Sequence, residues 1–124
     1  YSVTGVQTCA LPISPEYHRS LCNAGNPAVQ LIEKILPCYQ QYFDKFEGLH
    51  GSTYTHDPSA ISFVINPDLF KTREAPVFVA TEGRCFGQTA ADWRGQWEER
   101  QPVSICVDVD SEGVLALIKE RLTR

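Results

Sequence analysis

Val103-Ser104-Ile105-Cys106-Val107-Asp108-Val109-Asp110 alternates apolar and polar side chains, then runs into Ser111-Glu112-Gly113-Val114-Leu115-Ala116-Leu117-Ile118-Lys119-Glu120-Arg121-Leu122. A period of two puts Val103, Ile105, Val107 and Val109 on one side of an extended chain, which predicts a strand with one buried face. The second stretch carries Val114, Leu117, Ile118 and Leu122 at helical spacing, with Asp110 or Ser111 in the capping position. Asp108 and Asp110 point outward from such a strand. A strand end feeding a helix cap accounts for both without a metal.

The same two periods recur upstream. Asn26-Pro27 is a helix start, with Asn as cap and Pro at the first helical position. Ala28, Leu31, Ile32, Ile35, Tyr39, Tyr42, Phe43 and Phe46 then follow at helical spacing, with Pro37 expected to kink or divide the helix. Pro15 to Ser20 reads as a linker or short helix, and Gly48 to Thr55 as a polar loop. A further helix is expected from Pro58 to Ile65, with Asp57 as its cap, before Asn66-Pro67 stops it. Val77 to Thr81 is a short β-rich run, and Arg84 to Thr89 offers a return strand after the turn at Gly83. Strands interleaved with helices indicate an α/β or α+β arrangement.

A chain of 124 residues suits one domain with its own core. Its net charge of -4 argues against a nucleic-acid partner, since phosphate binding needs a basic surface. No apolar run approaches the roughly 20 residues of a membrane span. Cys9, Cys22, Cys38, Cys85 and Cys106 are odd in number and lack C-x-x-C spacing, which favours reduced thiols in a cytoplasmic protein.

Tyr1 to Ile13 lacks the basic start of a signal peptide. Val3 to Ile13 instead resembles the conceptual translation of a DNA-sequencing adapter. Residues 1–13 are therefore set apart as non-native, and 14–124 are taken as the native portion. On that expectation, the native sequence preceding Ser14 was lost where the adapter joined the frame.

The stretch richest in chemistry is Gly51-Ser52-Thr53-Tyr54-Thr55-His56-Asp57-Pro58-Ser59-Ala60. It sets an imidazole beside a carboxylate at the mouth of a helix. Histidine can protonate a leaving group near neutral pH, and a carboxylate is a natural ligand for a hard cation. The plain alternative is an exposed loop histidine and an ordinary helix cap.

His56-Asp57-Pro58 with Ala60, followed by Asn66-Pro67-Asp68-Leu69-Phe70, resembles the late motif of the inosine–uridine-preferring nucleoside hydrolases. The resemblance continues through Thr81-Glu82-Gly83, Gly87-Gln88-Thr89, Asp92, Val107-Asp108-Val109-Asp110 and the helix from Gly113 to Leu122. It implies an α/β chain forming the C-terminal part of a Rossmann-like nucleoside hydrolase fold, with an incomplete sheet. It also implies hydrolysis of a ribonucleoside to ribose and free base in a calcium-dependent parent enzyme, compatible with a homo-oligomer. By position, His56 would assist the departing base, Asp57 would ligate calcium, and Tyr39, Tyr42 and Tyr54 are the candidates to contact the nucleobase, with packing in the core or on its edge as the favoured alternative for each tyrosine. The departures are large. No D-x-D-P-G-x-D-D motif is present to supply the other calcium ligands and the water-activating base, and the family's mid-chain ribose-holding segment is missing. Calcium takes roughly six to eight oxygens, so one aspartate leaves the fragment expected to be inactive alone. Thr55 also stands where many members have an apolar residue.

Two other functions fit the residues without the resemblance. One is a non-catalytic α/β interaction module. The other is a small metal-dependent hydrolase using His50, His56 and Asp57. His18 and His50 are read as surface residues, Phe43 as core, and Trp93 and Trp97 as packing residues.

Overall fold

The computed structural model describes residues 11–97 and 100–124. In chain order these form β1 (Leu11–Ile13), α1 (Pro15–Cys22), α2 (Pro27–Glu47), β2 (Thr53–Thr55), α3 (Asp57–Ile65), a 3-10 turn (Pro67–Leu69), β3 (Phe70–Val79), β4 (Thr89–Ala91), β5 (Pro102–Val109) and α4 (Ser111–Leu122). Local chemistry sets most of the helix ends. The Asn26 side chain accepts from the Val29 N–H at 3.0 Å, and Asp110 accepts from the Gly113 N–H at 3.0 Å. Each satisfies an otherwise orphaned donor of the first turn. Gly48, at φ +66°, closes α2 in the left-handed conformation that glycine adopts without strain. The helix runs undivided through Pro37.

Strands form two small antiparallel sheets. β1 pairs with β2, and β3 lies between β4 and β5. Leu11–Ile13, although set apart on sequence grounds, thus takes part in the fold, and Leu11 is buried. β3 begins at Phe70, well before the expected Val77. Lys71-Thr72-Arg73-Glu74 disguises its first half, because those exposed side chains carry no apolar alternation. The expected return strand starts only at Thr89.

The pairing of β3 with β5 passes from Lys71–Asp108 to Thr72–Cys106, which leaves Val107 as an extra residue. Such a bulge changes which side chains share a face. Cys106 and Val109 consequently pack towards Phe70, and the four valine and isoleucine positions of β5 do not share one buried side. Leu11, Phe70 and Val114 form a buried cluster, flanked by Phe63, Leu69, Leu115 and Ile118. The Asp110 N–H donates to the Leu69 carbonyl at 2.8 Å, and the Tyr17 hydroxyl donates to the Leu115 carbonyl at 2.7 Å. These bonds fasten α4 to the start of β3 and to α1.

The long helix α2 buries only Val29 and Phe43. Leu31, Ile35, Tyr39, Tyr42 and Phe46 lie along one stripe and are all more than half exposed. Ile61 and Val64 of α3 are exposed as well. Contiguous apolar surface of this kind favours association. We expect light scattering to show self-association of the chain at micromolar concentration, and Leu31→Lys with Ile35→Glu to reduce it while leaving the circular dichroism spectrum unchanged.

Candidate active-site corner

Alternation along β2 builds the site. Thr53 and Thr55 turn to one face and are buried, while Tyr54 between them is half-buried on the other. The buried Thr53 hydroxyl meets His18 Nε2 at 3.2 Å. The Thr55 carbonyl accepts from the Ser59 hydroxyl at 2.9 Å, tying the strand to α3 directly across the corner. The His56 carbonyl accepts the N–H groups of Ser59 and Ala60 at 3.1 and 3.2 Å, so the helix starts there. His56 therefore occupies the cap position, with no side-chain capping bond. Asp57 is the first helical residue, which corrects its expected place as the cap. Both side chains are exposed. Asp57 sits in the first turn of α3, where the helix dipole favours negative charge.

Ring contacts connect this corner to α2. Tyr54 lies 6.2 Å from the His56 ring and 5.7 Å from the Phe43 ring, measured between centroids. Phe43 is buried, as expected of a core residue, and touches Tyr39 at 5.8 Å and Tyr42 at 5.5 Å. The three tyrosines and His56 thus belong to one aromatic chain with Phe43 at its centre. Tyr39 and Tyr42 are each 57% exposed.

Other residues fall elsewhere. Trp93 stacks with Arg73, and Trp97 meets Phe78 edge-on, so both pack on the second sheet. Asp108 pairs with Lys71 at 2.7 Å, and the hydrogen bond from that ammonium holds its carboxyl below the usual range. Asp110 is the α4 cap. His50 is exposed at φ +50° in the loop before β2. Among the described residues no group of three or more His, Cys, Asp or Glu is placed to hold a metal, which removes the support for a site built from His50, His56 and Asp57.

His18 departs from expectation. It is 7% exposed rather than a surface residue, and its Nδ1 is buried without a hydrogen-bond partner among the described residues. Its partner Thr53 lies 35 residues away, so only spatial structure could reveal it.

The family model of the inosine-uridine preferring nucleoside hydrolases matches residues 2–116, and the chain belongs to that family. It is 33% identical to uridine nucleosidase 1 of Arabidopsis thaliana over 99% of its own length and 39% of the relative's. It is 30% identical to the pyrimidine-specific ribonucleoside hydrolase RihA of an Enterobacter species, over 81% of this chain and 32% of that protein. The structure resembles the plant nucleoside hydrolase PpNRh1, with a TM-score of 0.82 at 25% identity, covering 91% of this chain and 37% of the other. The purine-preferring ribonucleoside hydrolase from Gardnerella vaginalis shares the fold, with a TM-score of 0.74 at 18% identity, over 91% of this chain and 36% of its own. The chain thus spans between 32% and 39% of the length of these proteins.

Burial lowers the His18 pKa below its ordinary 6.5, because the charged ring would lose its hydration. Unfolded chain takes up a proton below that pH while the buried ring resists. The contribution of His18 to stability is therefore complete above pH 6.5 and is lost as pH falls towards the lower folded value. Amide exchange at Thr53 and Thr55 should accelerate in that acid range beyond its intrinsic pH dependence, and His18→Gln should flatten the effect.

Proposed function

We propose that this chain forms the leaving-group side of an active site that hydrolyses the N-glycosidic bond of a ribonucleoside to ribose and free base. The observation that carries this reading is the placement of His56 and Asp57 side by side at an exposed corner, joined through Tyr54 and Phe43 to Tyr39 and Tyr42. The relatives named for uridine and pyrimidine favour a pyrimidine ribonucleoside as substrate. Tyr39, Tyr42 and Tyr54 would cover the planar base, for which an aromatic face with a hydroxyl handle is suited. His56 would give a proton to the base as the glycosidic electron pair moves onto its nitrogen, easing an oxocarbenium-like transition state.

Calcium is the proposed cofactor, and Asp57 is the one residue here that would hold it. Its carboxylate is exposed at a helix N-terminus, which suits a hard cation, but it supplies only one of the several oxygens such an ion requires. When bound, calcium would orient ribose hydroxyls and make water easier to deprotonate. The remaining ligands and the base that takes water's proton would come from outside residues 14–124, which we read as the C-terminal portion of the domain. A cytoplasmic setting is proposed from Cys9, Cys22, Cys38, Cys85 and Cys106, which are odd in number and lack C-x-x-C spacing. Among the described residues no helix is long and apolar enough to cross a membrane.

The test uses the complete enzyme, assayed by ribose release from uridine and inosine, with calcium binding followed by calorimetry. His56→Ala should slow turnover by about 10²- to 10⁴-fold, the usual worth of a general acid, with calcium affinity retained. A nitrophenyl riboside, whose leaving group needs no proton, should be nearly unaffected. Asp57→Ala should weaken calcium binding and remove most activity on every substrate. The 124-residue chain alone should show neither calcium binding nor turnover, and measurable hydrolysis by it would overturn this division of labour.

A further inference from the structure

The loop before the corner is held from α2 in an unusual way. Gln40 and Asp44 stand one helical turn apart and grip the same residue, Gly51. Gln40 Nε2 donates to the Gly51 carbonyl at 2.7 Å, and the Gly51 N–H donates to Asp44 Oδ1 at 2.6 Å. Both backbone polar groups of one loop residue are thus satisfied by side chains of one helix. Gly51 itself sits at φ +82°, a conformation open to glycine and strained for other residues. Phe43, on the same side of the helix, makes the third contact through its ring against Tyr54.

We infer that Gln40 and Asp44 are positioning residues for the His56 corner, fixing the Gly51–His56 segment on the helix that carries Tyr39 and Tyr42. The inference rests on the proposed reaction. A loop residue free to turn would let β2 shift along α2. Because Tyr54 and His56 follow within five residues, the imidazole would move relative to the tyrosines. Displacements of about 1 Å at a reacting group can cost on the order of 10² in rate. The clamp therefore acts on proton delivery to the base rather than on the cation site.

The effect is read by leaving-group dependence in the complete enzyme. Asp44→Ala should lower kcat on uridine by about 10- to 100-fold while changing turnover of a nitrophenyl riboside by less than about 2-fold. Asp44→Asn keeps an acceptor oxygen for the Gly51 N–H and should restore the rate. Gln40→Glu sets a carboxylate against the Gly51 carbonyl and should reproduce the loss. His56→Ala is the reference. If it shows no leaving-group dependence, the proposed role of His56 fails. If it does, while Asp44→Ala slows both substrates equally or neither, or Asp44→Asn fails to rescue, the clamp is refuted on its own.

Discussion

The hydrogen bond between His18 and Thr53 joins parts of the chain that local sequence cannot bring together. It anchors α1 to β2, and β2 is the strand on which the candidate site depends. A three-residue strand has little stability of its own, since ordering each residue costs about 1–2 kcal/mol of backbone entropy. β2 persists because neighbours hold it on several sides. β1 pairs with its backbone, His18 takes the Thr53 hydroxyl, Ser59 takes the Thr55 carbonyl, and Phe43 packs on Tyr54. With Thr53 and Thr55 committed to one face, Tyr54 has only the other left. The next residue, His56, then emerges at the turn into α3.

The rest of the molecule serves that corner from behind. α3 runs from it into the 3-10 turn and β3, and the Phe63–Phe70 edge-on contact closes that path over the core. The bulge at Val107 brings Val109 to the same side as Phe70, where Val114 of α4 completes the cluster. Without the extra residue, the alternation of β5 would carry Val109 to the opposite face and leave α4 without its seat. Gly113 shows how closely α4 is seated. A Cβ there would lie 2.6 Å from Leu69 Cδ2 and 2.7 Å from the Asp110 carboxylate.

Features decided within a few residues were legible in the sequence. The Asn26 and Asp110 caps, the extent of α4 and the strand at 102–109 follow from side-chain chemistry and period alone. So did the nucleoside hydrolase family, whose motif is contiguous around His56-Asp57-Pro58. Features decided by distant partners were not. His18 is a polar residue on a short helix, and nothing nearby in sequence announces Thr53. The first half of β3 is masked by Lys71, Arg73 and Glu74, whose exposed positions between paired strands become evident only once β5 is in place. Periodicity also identified the apolar stripe of α2 without saying whether anything covers it. Leu31 and Ile35 share the period of buried residues and lie exposed.

The chemistry explains why a site of this kind can be divided along the chain. In the proposed hydrolysis, water would approach the sugar from the side opposite the departing base, as in an inverting displacement at an anomeric carbon. The group that deprotonates water and the group that protonates the base must therefore stand on different sides of the ribose, several ångströms apart. They need not share an element. What each requires is a rigid local mount. For the proposed leaving-group side that mount would be the β2–α3 corner, with its imidazole at the cap position and its carboxylate in the first helical turn. The stacking surface for the base must lie on the same side as the proton donor, since both act on the same departing fragment. In the proposed site, the aromatic chain from Tyr39 and Tyr42 through Phe43 and Tyr54 to His56 would meet that requirement. A cation that contacts the ribose hydroxyls would have to bridge the two sides, so in the proposed enzyme the carboxylate of Asp57 would be one side's contribution to a shared site.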